Sequence, residues 1–359
     1  MTKPRMLYLM HIDWNWIRQR PQYLEDELEK SYDITVFCPR NYRLKEYRDK
    51  DNISVFYTIP FIRRYPYVAR IDDWRKKKAI ENIIKKSKPE YIYSTSPEFS
   101  YCIPQWYKGC VIYDCMDNMI AFHSNQRLIE RVADQESAMV HRADIILASS
   151  QKLCEILDDR YGELSKGKIS LIRNGYDGKL ENTDSASPRK KRFTLCYFGT
   201  IGRWFNFTYI LKSLKEEEDI EYLLIGPVEC GTSIPKHNRI KHLPPVDHSN
   251  LFDITKNTDA FIMPFEINEL ILSVDPVKLY EYINFNKNIL CVEYPEVERF
   301  GHFVYFYSDY ESFKAQICRL KKEKSVKYTN EERILFLEKN NWKERGKQIT
   351  ELIIQKRAK

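Results

Sequence analysis

No stretch of this 359-residue sequence approaches the roughly 20 consecutive apolar residues that a membrane-spanning helix needs. The amino terminus, Met1-Thr2-Lys3-Pro4-Arg5, leads straight into a strand-like run without the apolar core of a secretory signal. C-x-x-C is absent, and the nine cysteines stand singly, Cys38, Cys196 and Cys291 among apolar neighbours. That excludes a disulfide framework or a zinc site and fits reduced core cysteines in the cytoplasm. Glycine is scarce, at 11 residues, and none falls into G-x-G-x-x-G, so the dinucleotide fingerprint is missing. No short-period repeat is visible. No recognisable nucleic-acid-binding motif accompanies the basic charge, which argues against a nucleic-acid partner.

What is present is an ordinary globular balance, 43% apolar and 30% charged, in a chain long enough for two domains that each bury a core. The net charge of +7 is unevenly spread. Residues 63–78 carry seven Lys/Arg against two Asp, interleaved with Tyr65, Tyr67 and Trp74. From Arg319 to Lys359 there are thirteen Lys/Arg against six Glu. Solvated helix faces account for such runs. The functional alternative is attraction to an anionic membrane surface or to a phosphate-bearing acceptor.

Strand and helix signals alternate along the chain. Apolar runs at Met6–Met10, Ile34–Cys38, Ile53–Ile59, Tyr91–Thr95, Val111–Tyr113, Ile145–Ala148 and Ile169–Ile172 read as strands. Helical patterns fall near Pro21–Glu29, Ile71–Lys86, Asn125–His141 and Gln151–Arg160. Glu181–Arg192 has no apolar residue larger than alanine and reads as a linker, which places a domain boundary at residues 184–185. Strands then recur at Thr194–Phe198, Tyr222–Ile225, Ala260–Met263 and Ile289–Val292. Helices recur near Phe207–Leu214, Ser249–Lys256 and Val277–Asn284, with more after Tyr310 and a last one over Trp342–Gln355. The order predicts an α/β protein of two Rossmann-like domains, 1–184 and 185–340, with a cleft between them.

The segment Ser273-Val274-Asp275-Pro276-Val277-Lys278-Leu279-Tyr280-Glu281 opens the helix of one βαβ unit. Asp275 suits an N-cap and Pro276 the first helical position. Lys278 and Glu281 lie three residues apart and share a face. A lysine beside unpaired helix-start amides can hold a phosphate, and a glutamate one turn on can accept from sugar hydroxyls. The plain alternative is a surface ion pair on an ordinary helix. Tyr197-Phe198-Gly199-Thr200-Ile201-Gly202-Arg203 runs from a strand into a loop whose glycines admit a ligand and whose arginine suits a diphosphate. Gly226, and the stretch Leu243-Pro244-Pro245-Val246, end strands of the same half and suit the walls of a base pocket.

In the first half, the loop after the first strand concentrates His11, Asp13, Trp14, Trp16, Arg18 and Arg20. Aromatic faces suit sugar rings, and Asp or His can take a hydroxyl proton. Tyr113-Asp114-Cys115-Met116-Asp117-Asn118 ends another strand in an acidic loop, with His123 a few residues on. Asp114 fits a helix cap. Asn174-Gly175 marks a tight turn.

Taken in order over nearly the whole chain, these pieces resemble bacterial GT-B glycosyltransferases, retaining family 4 and its relatives, in particular those of teichuronic acid and capsule. The resemblance rests on Asp13-Trp14…Arg18-Gln19-Arg20-Pro21-Gln22, Tyr113–Asn118, Asn174-Gly175 and Pro276-x-Lys278-Leu279-Tyr280-Glu281-Tyr282. It implies a metal-independent, retaining hexosyltransferase that moves a sugar from a nucleoside diphosphate, UDP or GDP, to a growing, lipid-linked cell-surface polysaccharide. It also implies a cytoplasmic enzyme, peripheral at the inner face of the plasma membrane, with a last helix over residues 341–359 crossing back to the first domain. Donor would bind residues 199, 200, 202, 203, 226, 243, 244, 246, 273, 276, 277, 278 and 281. Acceptor would bind His11, Asp13, Trp14, Trp16, Arg18, Arg20, Asp117 and His123. Arg203 and Lys278 would stabilise the leaving diphosphate, Glu281 would hold the ribose, and Asp13 would be the base if configuration inverts. Glu281 matches the second glutamate of the family's E-x7-E pattern, and Ser273 stands where the first would be. The rival readings are a nucleotide-sugar epimerase of the same fold and a non-catalytic glycan- or membrane-binding subunit.

Overall fold

The computed structural model describes residues 2–40, 51–58, 66–177, 179–181, 192–323 and 325–357. It divides into two units, Met1–Asn174 with Trp342–Lys359, and Gly175–Asn341. Most of the expected linker, residues 182–191, and Tyr65 of the basic stretch lie outside the described residues.

In the first unit, seven strands form one parallel sheet: β1 (Arg5–Leu9), β2 (Asp33–Pro39), β3 (Ile53–Phe56), β4 (Tyr91–Ser94), β5 (Cys110–Cys115), β6 (Ile145–Ala148) and β7 (Ile169–Leu171), in the order β3-β2-β1-β4-β5-β6-β7. Among the described residues the connecting α-helices are α1 (Arg20–Leu28), α2 (Pro66–Ser87), α3 (Gln126–Arg142) and α4 (Gln151–Tyr161). Both sheet faces are covered, so the strands are apolar at successive positions rather than at alternate ones. Met6, Tyr8, Tyr91 and Tyr93 pack with Leu24 and Leu28 of α1 and with Trp342, Ile349 and Ile353 of the last helix. Leu7, Leu9, Phe37 and Ile92 face the other way, onto Ile80 and Ile84 of α2 and Met139 and Val140 of α3. The last helix is held to α1 by Trp342 stacked on Tyr23, with ring centroids 5.3 Å apart.

The second unit repeats the plan with β8 (Phe193–Phe198), β9 (Ile220–Ile225), β10 (Ile240–Leu243), β11 (Ala260–Met263), β12 (Asn288–Val292) and β13 (Val304–Tyr307), all parallel, in the order β10-β9-β8-β11-β12-β13. Its helices are α5 (Phe207–Glu216), α6 (His248–Thr255), α7 (Glu269–Leu272), α8 (Val277–Asn284), α9 (Tyr310–Leu320) and α10 (Asn330–Lys339), and the last helix, α11, spans Trp342–Arg357. In each sheet the strand order reverses beside the unit's first strand, between β1 and β4 and between β8 and β11. Loops at the carboxyl ends there form a ligand crevice. The edge strands β10 and β13 lack a sequence expectation of their own. Along β10 only Ile240 and Leu243 are even half-buried, so the apolar run that marks an inner strand is missing.

The start of α8 corrects a local expectation. Pro276, not Asp275, stands at the cap, and α8 begins at Val277. The buried Asp275 carboxylate instead accepts a hydrogen bond from Arg299 Nη2. A tertiary cation has outcompeted the helix-start amides.

Candidate functional site

In the second unit the loop after β8 and the start of α8 meet at the switch point. Gly199 has φ +134, and a Cβ placed there would lie 2.0 Å from Cε of Lys278. Glycine thus does two things at this position: it takes up a backbone conformation that side chains avoid, and it leaves room for the lysine stem. Lys278 Nζ stands 5.8 Å from the Tyr197 ring centroid. Tyr197 is fixed in turn, its hydroxyl donating to the Thr200 carbonyl at 2.7 Å. Burial lowers the Lys278 pKa from the usual lysine range, and the carboxylate of Glu281 opposes the shift.

Gly226, at φ +133, closes the loop after β9 against the same backbone, since a Cβ there would meet the Gly199 carbonyl oxygen at 2.3 Å. The amide of Gly199 donates to Ile225 O at 2.8 Å, and that of Gly226 donates to Leu243 O at 3.0 Å. Three strand ends are thereby laced into one rim carrying Gly199, Gly226 and Leu243. Beyond it, Pro244 is exposed and Val246 half-buried. Gly202 is buried on the β8 loop and Arg203 is exposed on it.

Lys278 and Glu281 share one face of α8, yet no ion pair joins them among the described residues, contrary to the plain reading of that pair. Glu281 Oε1 instead lies 2.6 Å from Nε2 of His248, and His248 Nδ1 lies 4.0 Å from Oδ2 of Asp177. Hydrogen bonding to Glu281 raises the His248 pKa above the usual value of 6.5; burial opposes that, and the charges of Glu281, Asp177 and Glu181 add to it.

In the first unit, the loops after β1 and β4 are tied at the switch point by His11, whose Nδ1 is 2.8 Å from the Thr95 hydroxyl. Burial lowers the pKa of His11, so its neutral form is favoured. Trp14 and Trp16 follow on the same loop, Trp14 partly packed and Trp16 exposed. Arg18 is paired with Asp26 and lies over the Tyr23 ring at 4.7 Å.

Three residues expected at the site serve the scaffold instead. Asp13 is 3% exposed; its Oδ1 accepts from the Asn15 amide at 2.8 Å, and its Oδ2 lies 3.7 Å from Nη1 of Arg40. It braces the loop and is not an accessible base. Arg20 is buried, with Nε and Nη2 on the Asp114 carboxylate at 2.8–3.0 Å and Nη1 on Arg173 O and Asn174 Oδ1 at 3.1 and 3.2 Å. Asp114 is accordingly no helix cap; it also accepts from Tyr93 Oη at 2.9 Å. Burial works against the Arg20 charge, but the Asp114 carboxylate outweighs it and holds the guanidinium more strongly basic than a free arginine. Ser273 is fully buried, its hydroxyl donating to Leu270 O at 2.8 Å, so it closes α7 instead of facing a ligand.

Asp117 differs from these. Its loop is pinned on both sides: Ser149 Oγ donates to Met116 O at 2.7 Å, and Arg160 Nη2 donates to Asn118 Oδ1 at 3.4 Å. The half-buried Asp117 carboxyl between them makes no side-chain hydrogen bond or ion pair among the described residues. Burial pushes its pKa up to about 6, with Arg20 lowering it and Asp114 raising it further. Such a carboxyl can hold or release a proton near neutral pH. His123, half-buried, ends the short helical turn Met119–Phe122 that follows.

The fold is shared with sucrose-phosphate synthase from Thermosynechococcus elongatus, at a TM-score of 0.71, 12% identity and coverage of 99% of this chain and 100% of that one. It is shared as well with HepE from Anabaena in complex with UDP, at a TM-score of 0.64, 13% identity and coverage of 98% and 100%. Residues 22–179 match the model of Glycosyltransferase Family 4. The chain has the GT-B fold, and the family 4 match lies in its first half. Among curated proteins it is similar to a putative teichuronic acid biosynthesis glycosyltransferase, TuaH of Bacillus subtilis, at 22% identity over 226 residues. That match spans 58% of this chain and 56% of the relative's length.

On the second unit the structure brings together Gly199, Thr200, Gly226, Lys278 and Glu281. On the first it brings together His11, Trp14, Trp16 and Asp117 at carboxyl ends of strands. Pro276 and Val277 sit at the head of α8, Pro276 buried and Val277 half-buried. Sequence reasoning missed His248, Tyr197 and Asp177. A histidine opening α6 directly after the Leu243–Val246 stretch was the available signal for His248, and nothing local announces its contact with Glu281, 33 residues on. Among the described residues, no group of three His, Cys, Asp or Glu is arranged to hold a metal ion. No helix among them is long and apolar enough to cross a membrane.

Proposed function

We propose that this chain transfers a sugar from a nucleoside diphosphate sugar to a growing, lipid-linked cell-surface glycan. The observation that carries the reading is the Lys278 ammonium seated against Gly199 at the switch point, with Glu281 one turn along α8 and not consumed by it. Lys278 meets the diphosphate as negative charge develops on it, and preorganised charge of this kind is commonly the largest catalytic contribution. Arg203, exposed on the same loop, adds a second cation. Glu281 accepts from the ribose hydroxyls, and the rim of Gly226, Leu243, Pro244 and Val246 walls the base. UDP is the carrier we favour, a choice supported by its presence in HepE. On the first unit His11, Trp14 and Trp16 line the acceptor side, and Asp117 takes the hydroxyl-orienting place that the buried Asp13 leaves.

Nucleotide binding tests the Glu281 assignment directly. Glu281→Gln is expected to weaken UDP binding more than the same change at Glu266, an exposed carboxylate on the loop after β11, because an amide replaces a charge-assisted acceptor poorly. Equal affinities in isothermal titration would move the ribose contact to another carboxylate.

A lipid-linked acceptor gives the basic stretch on α2 a purpose. Trp74 is 60% exposed and Ile71 52%, beside Lys77. Arg75, Lys76 and Lys78 are paired with Asp72, Glu98 and Glu81, which reduces what each offers a surface. The protein is expected to co-sediment with anionic vesicles at low salt, less so at high salt, and less when Arg75, Lys76, Lys77 and Lys78 are changed to Gln. If it stays in the supernatant at low salt, the patch is a solvated helix face.

A further inference from the structure

Resting on the reading of Glu281 as the ribose acceptor, we propose that His248 is a positioning residue that holds the Glu281 carboxylate toward the ribose and away from Lys278. On α8 the two charges stand three residues apart, where opposite charges ordinarily close on one another. A Lys278–Glu281 pair would neutralise the cation needed by the diphosphate and occupy the acceptor needed by the sugar. The structure shows another arrangement: Glu281 Oε1 is held by His248 Nε2 at 2.6 Å. A carboxylate has two oxygens with about four lone-pair sites, so one bond from an imidazole leaves Oε2 and the second site on Oε1 for hydroxyl donors.

The imidazole is itself located by a second carboxylate. Its Nδ1 lies 4.0 Å from Asp177 Oδ2, and Asp177 Oδ1 accepts from the Lys179 amide at 3.2 Å. His248 thus bridges α8 to the segment that opens the second unit. It also stands at the first turn of α6, next to the stretch that walls the proposed base pocket. The side chain is 50% exposed, so it can be reached by a ligand or by solvent, whereas the Glu281 side chain is 18% exposed.

The charges around His248 set the direction of a pH response. Glu281 faces it from α8, with Asp177 and Glu181 on the other side, and Lys278 bears on Glu281 from one turn back. Three carboxylates favour the imidazolium. The doubly protonated ring can donate to Glu281 and remain attracted to Asp177 together. Its folded-state pKa is raised, so the arrangement is complete below the ordinary histidine pKa and is lost as pH rises through the raised one.

The test uses the whole chain, titrated calorimetrically with UDP and with 2′,3′-dideoxy-UDP between pH 6 and pH 8.5. Wild type is expected to prefer UDP at pH 6, by roughly tenfold for about one hydrogen bond's worth of ribose recognition, and to lose part of that preference at high pH. His248→Ala should show little preference at any pH. His248→Gln keeps a donor that does not titrate, and it should retain preference with a flat pH profile. If His248→Ala keeps the wild-type ratio at pH 6 while Glu281→Gln loses it, the positioning role falls and the ribose assignment stands. If Glu281→Gln also keeps the ratio, the ribose assignment fails and the positioning role with it.

Discussion

Lys278→Ala is expected to slow sugar transfer at least tenfold while the urea unfolding midpoint stays close to that of wild type. The ammonium sits where burial already disfavours its charge, so the fold gains little from it and removing it relieves a desolvation cost. On the proposed function the reaction, in contrast, loses a preorganised cation at the leaving group, a change of about 2.7–4 kcal/mol where comparable donors have been deleted. Arg203→Ala should act in the same direction. Gly199→Ala offers an independent check, because the added methyl takes the place of Lys278 Cε without altering any charge. Release of UDP from UDP-glucose, followed with and without glycan acceptor, reads all three. Wild-type rates in Lys278→Ala would remove the lysine from the mechanism.

The second large effect is on stability. Arg20→Met is expected to cost about 3–5 kcal/mol in urea unfolding, because it strands the Asp114 carboxylate, which is fully buried. Asp114→Asn should cost a similar amount by leaving the guanidinium without its counter-charge. Arg20→Met combined with Asp114→Leu is expected to recover part of the loss, since an apolar pair carries no buried charge. Recovery should be incomplete, because Arg20 also donates to Arg173 O and Asn174 Oδ1. A loss under about 1 kcal/mol for Arg20→Met would show that water reaches the Asp114 carboxylate after all.

These two sites illustrate what local pattern can and cannot carry. The helix Val277–Asn284 is legible apart from its cap, because an apolar stripe, a nearby proline and the flanking strands all agree. The inner strands β8, β11 and β12 are equally plain, being continuous apolar runs buried on both faces. The edge strand β10 is not, since its Lys241 and His242 face solvent. Arg20 and Asp114 can each be picked from the sequence as chemically capable, but they lie 94 positions apart, and only the sheet order brings them together. Their mutual satisfaction is what disqualifies Arg20 as a ligand contact. Asp275 shows the same competition in miniature: good local cap chemistry yields to a cation 24 residues away. Asp117, conversely, stands out because its neighbours Met116 and Asn118 are tied down while its own carboxyl is left over.

The return of α11 to the first unit has a consequence for synthesis on the ribosome. The first sheet is fully translated by residue 174, yet the apolar face of α1 around Tyr23 is not roofed until Trp342 and Ile349 emerge. About 170 residues separate the two events, and at about 5–20 residues per second the delay is on the order of ten seconds to half a minute. Throughout that interval a nascent chain carries a nearly finished domain with one open apolar stripe, a natural footing for a chaperone. A message broken before residue 342 would make that state permanent, so loss of α11 is expected to send the polypeptide to proteolysis.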